Sequence, residues 1–146
     1  MSNNILVPGP VTQDLITACL DDISKRTDAG GHSCFIGQVR ADNLSGKRVK
    51  AIEYSAYKKM VRSEADQIIK LIRSEFNDVK SIVIMHSLGV VKAGEISLFV
   101  LVSAGHRHHA ILACSKTVEL IKEKLPVWKK EIFEDNSQEW KQNNLA

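Results

Sequence analysis

The pattern of apolar and polar positions is clearest between residues 95 and 131. Residues 96–102 are almost all apolar, which predicts a strand covered on both faces inside a sheet. Beyond Gly105, apolar residues recur at steps of three and four, the spacing of a helix with one face toward the core. These positions are Ile111, Cys114, Val118, Ile121 and Leu125. Pro126 cannot continue a helix, so this helix is predicted to end near Lys124.

The same reasoning predicts two earlier helices and several strands. Thr12 is suited to cap the first helix, and the second is expected at residues 57–76. Strands are predicted at residues 4–7, 32–40, 48–56, 79–86 and 96–102. Residues 41–47 are expected to form a polar loop that contains a glycine.

The predicted order is therefore β-α-β-β-α-β-β-α. This order indicates an α+β fold with an antiparallel or mixed sheet and three helices. We expect one domain over residues 1–146, with residues 136–146 as a polar tail. No Gly-x-Gly-x-x-Gly segment or Walker loop is present, so nothing supports a nucleotide-binding site.

The composition is that of an ordinary globular protein, with 44% hydrophobic and 25% charged residues and a net charge of +3. This charge gives little support for nucleic-acid binding, where clustering matters more than the total. Cys19, Cys34 and Cys114 lack metal-binding spacing and suggest a reducing compartment. No apolar run has membrane-spanning length and no signal peptide is evident, so we expect a cytoplasmic protein that binds no membrane.

The candidate chemistry lies at the two ends of the last helix. His106 and Arg107 precede its first turn, where free backbone N–H groups and a guanidinium could bind a phosphate or carboxylate. Lys122 and Lys129 lie near its other end. Lysines in a last turn often serve only to complement the helix dipole, and that interpretation stays open. Arg40, at the end of a predicted strand, is either a solvated residue or a second anion contact.

Other kinds of site are less well supported. His106, His108 and His109 do not share one helical face and have no Cys, Asp or Glu nearby, so we expect no metal ion and no cofactor. His32 and His86 lie in apolar strands and are interpreted as core histidines. The residues thus predict a cationic pocket for an anionic substrate or peptide end. A lysine crowded by other cations there would have a lowered pKa and could act as a base, a nucleophile or a proton donor.

Five segments, in order, resemble the catalytic (large) subunit of molybdopterin synthase. They are FIGQVR (35–40), IEYSAY (52–57), MHSLG (85–89), SAGHR (103–107) and LPVWKKE (125–131). The resemblance covers roughly residues 29–141. Gly105 stands where that family often has alanine, and His108 and His109 replace smaller residues.

The resemblance implies an α/β-hammerhead fold and a central homodimer within a heterotetramer. A small ubiquitin-like carrier would insert its C-terminal Gly-Gly thiocarboxylate into the pocket. Sulfur would pass to cyclic pyranopterin monophosphate and form the molybdopterin dithiolene, a step of molybdenum cofactor biosynthesis. The family's active lysines fall on Lys122 and Lys129, and its arginine and His-Arg pair fall on Arg40, His106 and Arg107. The alternative is a non-catalytic cationic cleft that binds an acidic peptide or RNA.

Overall fold

The computed structural model of the protein describes residues 5–142. Within that range the helices are α1 (Gln13–Ile23), α2 (Lys58–Glu75) and α3 (Arg107–Lys124). The strands are β1 (Leu6–Pro8), β2 (Gly31–Gln38), β3 (Asn43–Leu44), β4 (Lys47–Ala56), β5 (Val79–Lys92), β6 (Ile96–Ala104), β7 (Val127–Phe133) and β8 (Gln138–Gln142). The predicted α+β fold is confirmed, but the structure adds the short strand β3 within the predicted loop at 41–47 and two strands beyond α3.

The strands form one sheet in the order β2-β6-β5-β4-β7-β8, in which each neighbouring pair is antiparallel. β1 joins β5 in parallel, so the sheet is mixed. β6 is buried on both faces, as its apolar run predicted. Phe99 and Leu101 pack in the core on the α1 side, while Leu98, Val100 and Val102 pack in the larger core that includes α2 and α3.

β5 links the two halves of the sheet. Its first part, from Val79 to His86, pairs with β6, and its last part, from Gly89 to Lys92, pairs with β4. Gly89 has a φ of +96°, which a residue with a side chain rarely adopts. The bend at Gly89 therefore carries the strand from one partner to the other and places His86 at the junction.

Several predicted boundaries differ from the structure. α3 begins at Arg107, four residues before Ile111, the first position of its apolar spacing, because His106 is already the extended N-cap residue. Part of the predicted polar tail forms β8, which pairs with β7. β7 and β8 were missed because Lys129 and Glu131 occupy inward positions of β7, where an apolar alternation would be expected. The first strand was predicted to start at Asn4, which lies outside the described residues.

No helix within residues 5–142 is both long enough and apolar enough to cross a membrane.

Candidate functional site

A pocket of about 370 Å³ lies where the end of β2, the end of α3 and the middle of β7 meet. Arg40, Lys122 and Lys129 all line it. Lys122 is in the last turn of α3, and the chain reverses at Pro126 so that β7 runs back beside β4. Lys129 then lies directly opposite Tyr54 on β4, on the face that looks into the pocket. The fold thus brings Arg40 to two lysines that lie more than eighty residues later in the sequence.

The pocket also contains polar residues that the sequence analysis did not assign to a site. Glu131 and His86 are buried, with 6% and 3% of their surfaces exposed, and both line the cavity beside Tyr54 and Ser97. The sequence could have indicated that Glu131 belongs to the pocket, because it is two residues from Lys129 and residues two apart on a strand share a face. His86 gave no such signal, since its strand reads as ordinary core.

Both lysines have lowered pKa values. For Lys122 the largest cause is partial burial at the pocket, and the charge of Arg40 adds to it while Glu119 opposes it. For Lys129 burial again contributes most, followed by the charge of Lys122. The prediction attributed the lowering to crowding by like charges, whereas burial is the larger cause here.

Two acidic residues, Glu131 and Asp42, reduce the net positive charge of this site. Glu131 forms an ion pair with Lys141 of β8, with 2.9 Å between the ammonium nitrogen and the carboxylate oxygen. The bonded partner raises the pKa of Lys141. Asp42 lies 3.3 Å from the Arg40 guanidinium, which is largely exposed. Arg40 therefore stands at the rim of the pocket, where an incoming anion can compete with Asp42 for it.

His86 is held in one orientation. Its Nδ1 lies 2.8 Å from the carbonyl oxygen of Ser87, and its ring packs edge-on against Tyr54 with the ring centres 5.1 Å apart. Burial lowers the pKa of His86 to about 4, and the charges of Lys122 and Lys129 act in the same direction. The imidazole is therefore neutral at neutral pH.

The predicted anion seat at the start of α3 lies apart from this pocket in the same chain. His106 and Arg107 are both exposed. Arg107 and Lys122 are at opposite ends of α3, about 22 Å apart along the axis at the rise of an α-helix. The single five-residue pocket predicted from the sequence is therefore wrong for one chain. The structure brings Arg40, Lys122 and Lys129 together and leaves His106 and Arg107 elsewhere.

Asp78 organises the start of α3. Its carboxylate accepts hydrogen bonds from His109 and, over 3.4 Å, from His106. Burial opposes ionisation of Asp78, but these hydrogen bonds outweigh it and lower its pKa. His106 thus has an anionic partner already, while Arg107 has no ion-pair partner among the described residues. No three His, Cys, Asp or Glu side chains in residues 5–142 are grouped closely enough to hold a metal ion.

Lys130 illustrates how selective the pocket is. It neighbours Lys129 in β7 but points to the opposite face of the sheet, where its ammonium lies 3.1 Å from Glu53 and 5.0 Å from the centre of the Trp140 ring. It does not line the pocket. The strand alternation therefore assigns one lysine of the pair to the candidate site and the other to the opposite face of the sheet.

Comparison with known proteins places these features in a family context. A profile described as "MoaE protein" matches residues 11–124. The molybdopterin synthase catalytic subunit of Dictyostelium discoideum is 38% identical over 117 residues, which cover 79% of this chain and 73% of that protein. The Drosophila melanogaster protein of the same name is 41% identical over 115 residues, which cover 78% of this chain and 31% of that protein. This chain thus spans about a third of the length of the Drosophila relative.

The fold also matches solved structures. Molybdopterin synthase from Staphylococcus aureus superposes with a TM-score of 0.84 and 28% identity, covering 97% of this chain and 98% of the other. A complex of subunits 1 and 2 of the molybdopterin-converting factor from Helicobacter pylori contains a chain with a TM-score of 0.77 and 19% identity, covering 91% of this chain and 86% of the other. The second likeness is one of fold alone.

Proposed function

Because the chain belongs to the MoaE protein family, we propose that it acts as the catalytic subunit of a molybdopterin synthase. In this proposal the pocket receives the C-terminal Gly-Gly thiocarboxylate of a small ubiquitin-like carrier. Sulfur passes from the thiocarboxylate to cyclic pyranopterin monophosphate, and two such transfers form the dithiolene of molybdopterin. The chain supplies the reacting side chains itself and needs no cofactor.

The observation that carries the proposal is the convergence of Arg40, Lys122 and Lys129 on one pocket. Both partners in the reaction are anions, one a thiocarboxylate and the other a phosphate ester. Fixed cations in a partly buried pocket attract such groups more strongly than they would in water, and they hold the reacting atoms in place. A pocket of this charge suits the proposed pair of substrates.

The two lysines take different roles in this proposal. Lys122, in the last turn of a helix, is the acid/base or covalent group. Its lowered pKa increases the neutral amine fraction, which is the form that accepts protons or attacks carbon. Lys129, on β7, orients and polarises the thiocarboxylate. Arg40 at the rim binds an anionic group as it enters.

His106 and Arg107 serve in the proposal as the seat for the substrate phosphate. The first backbone N–H groups of α3 and the Arg107 guanidinium are donors suited to a phosphate. Since they lie far from Lys122 in the same chain, the proposed homodimer is needed to bring this phosphate seat close to the lysines. A second copy would have to bring its α3 start to the mouth of the pocket of the first.

The proposed assembly is a heterotetramer, with a central homodimer and one carrier at each end. The Helicobacter pylori structure, named as a complex of subunits 1 and 2 of a molybdopterin-converting factor, is the comparison that supports a small partner subunit. The carrier tail needs an open route to the lysines. Lys122 offers one, because part of the residue is exposed while it also lines the pocket.

A single-turnover assay tests this function. The purified protein is mixed with a thiocarboxylated carrier and cyclic pyranopterin monophosphate, and dithiolene product is measured for wild type and for Lys122→Arg. The proposal expects product from wild type and a loss of at least about 100-fold in the variant, because arginine cannot become a neutral base or nucleophile. Equal amounts of product from both proteins would mean that Lys122 contributes only its positive charge and is not the acid/base or covalent group. No product from wild type, with carrier still bound, would favour a non-catalytic cleft for an acidic peptide or RNA.

A further inference from the structure

The hydrogen bond between His86 and Ser87 fixes the tautomer of the imidazole. A carbonyl oxygen can only accept, so Nδ1 of His86, 2.8 Å from the Ser87 oxygen, must carry the ring proton. Because the neutral ring has one proton, Nε2 must present a lone pair. The backbone thus converts this histidine into a hydrogen-bond acceptor of fixed position.

The acceptor has no partner within the chain. In the part of the protein that the structure describes, His86 forms a side-chain hydrogen bond through Nδ1 alone. Nε2 is also not one of the fully buried polar atoms that lack a partner. Because His86 lines the pocket, we conclude that Nε2 can be reached from the cavity. The ring itself is 3% exposed and braced by the edge-on Tyr54 ring. An acceptor held this rigidly and left open to a cavity is suited to a ligand donor.

The charged groups of the pocket either offer only donors or are already ion-paired. Arg40, Lys122 and Lys129 have no acceptor atoms when charged. The two carboxylates that line the pocket are already ion-paired, Glu131 with Lys141 and Asp42 with Arg40. Gln38, Tyr54 and Ser97 bring groups that can both donate and accept. A ligand that brings an N–H group into this pocket therefore meets Nε2 of His86 as an acceptor that is not already engaged.

We propose that Nε2 of His86 accepts a hydrogen bond from a ring or amino N–H of the pterin substrate, and that His86 thereby determines specificity for an N–H-bearing heterocycle. This inference rests on the proposed function. The phosphate and the thiocarboxylate bring only acceptor oxygens and sulfur, which the cationic groups named in the proposed function bind. The heterocycle is the part of the substrate that brings N–H donors. Different residues of the pocket therefore bind different groups. The cations bind the anionic groups, and His86 recognises the heterocycle.

Nε2 of His86 can accept this hydrogen bond only because the imidazole is neutral. A protonated imidazole would present N–H at both nitrogens and would repel a donor. Burial keeps the ring neutral down to a pKa of about 4, and the facing Lys122 and Lys129 charges add to the effect. The same lysines that bind anions therefore help to preserve the acceptor.

Two substitutions separate the structural role of His86 from the proposed one. His86→Asn keeps an N–H group near the position of Nδ1 and can still bond the Ser87 carbonyl, but it loses the acceptor. His86→Gln can place a carbonyl oxygen near the position of Nε2. Affinity for cyclic pyranopterin monophosphate and for the carrier is measured by calorimetry, together with the single-turnover rate. The proposal expects Kd for the pterin to rise about 10-fold in His86→Asn, with partial recovery in His86→Gln and unchanged carrier affinity.

Unchanged pterin affinity in folded His86→Asn would overturn the inference, and so would a loss confined to the carrier, which would assign the N–H to its peptide tail. A measurement on wild type avoids any folding defect. With ¹⁵N-labelled histidine, the Nε2 resonance of His86 should shift on addition of the pterin while Nδ1 stays in place. An Nε2 resonance that does not move would refute the contact. If wild type itself forms no product and binds no pterin, the proposed function fails instead.

Discussion

Lys129 and Lys141 lie directly opposite each other on β7 and β8, and the carboxylate of Glu131 compensates for their proximity. Like charges in facing positions of a sheet are destabilising. Glu131 forms an ion pair with the Lys141 ammonium at 2.9 Å, which leaves the Lys129 ammonium for the pocket. This ion pair thus connects β8 to Glu131, a residue that lines the candidate site.

We predict unequal effects from removing either partner of this pair. In Lys141→Gln the Glu131 carboxylate, buried among β7 residues, loses its bonded cation, and we expect a loss of about 2 kcal/mol in the free energy of unfolding. In Glu131→Gln the freed Lys141 ammonium can turn to solvent, so the loss should be smaller. Urea unfolding of both variants measures the difference. Equal losses, or a larger one for Glu131→Gln, would contradict this account of the pair.

A second prediction concerns Lys129, whose partial burial makes its charge costly in the folded state. Its lowered pKa means that the unfolded chain binds this proton more tightly, so the cost is present at neutral pH and disappears as pH rises toward the ordinary value of 10.5. Lys129→Met should therefore stabilise the protein at pH 7, by less than about 1 kcal/mol because solvent screens the group, while abolishing sulfur transfer.

The neighbouring Lys130 supplies the control for that experiment. It faces the opposite side of β7 and pairs with Glu53 at 3.1 Å, so Lys130→Met removes a partly buried ion pair outside the pocket and leaves the pocket unchanged. Melting temperatures at pH 7 and pH 10, together with single-turnover rates, should show stabilisation and inactivity for Lys129→Met alone. A similar response of the two variants would mean that general surface charge, rather than the pocket, governs both effects.

The sequence predicted those elements whose apolar pattern matches their final environment. β6 was predicted as a doubly covered strand, and the structure covers both faces, with Phe99 on one side and Val100 on the other. The cap at Thr12 was also predicted correctly, since its Oγ accepts the N–H of Leu15 at 3.3 Å. In these places local preference and tertiary packing agree.

The prediction failed where a site interrupts the pattern. β7 was missed because its inward positions include Lys129 and Glu131, which the pocket requires and a core would exclude. His86 was correctly interpreted as buried, but its place in the pocket depends on the change of strand partner near Gly89, where β5 passes from β6 to β4. His32 was interpreted in the same way, yet it lies exposed on the edge strand β2. Long-range placement, which one sequence does not encode locally, decides all three.

His86 also gives a testable pH dependence of stability. The unfolded chain takes up a proton on histidine below about pH 6.5, whereas the folded protein does so only near its pKa of about 4. Lowering the pH through this window therefore favours unfolding, by up to about 3 kcal/mol for a fully buried ring. Urea unfolding between pH 7 and pH 4 should show this loss in wild type and in the exposed-ring control His108→Gln. His86→Gln should lack that part of the loss, and an unchanged slope would exclude His86 as its source.

A fourth prediction concerns the approach of two loops at the start of α3. A Cβ added at Gly30 would lie 2.3 Å from the carbonyl oxygen of Gly105, a backbone atom that cannot rotate away. Gly30→Ala should cost about 3 kcal/mol or displace the start of α3. Gly105→Ala is the matched control, because its Cβ would meet only side-chain atoms of Asp78, the nearest of them an oxygen at 3.3 Å. Thermal unfolding compares them, and a variant pair of equal stability would show that the approach is not tight.

The separation of Arg107 from Lys122 leads to the last prediction. The two residues lie at opposite ends of α3, so if both act on one substrate molecule they must come from different copies of the chain. Arg107→Ala and Lys122→Ala should each be inactive alone. In a mixed dimer, one of the two sites would combine the intact Arg107 of one copy with the intact Lys122 of the other.

Random mixing of equal amounts should therefore restore about a quarter of wild-type activity, because half of the dimers are mixed and one site in each is complete. The mixture is prepared by co-expression with two affinity tags, so that mixed dimers can also be purified and assayed. Purified mixed dimers should then have half the wild-type number of active sites. A control mixture of Lys122→Ala with Lys129→Ala should stay inactive, since both residues line the same pocket of one chain and every site lacks one of them. Restoration in the control, or none with Arg107→Ala, would show that the start of α3 does not complete the pocket of a second copy.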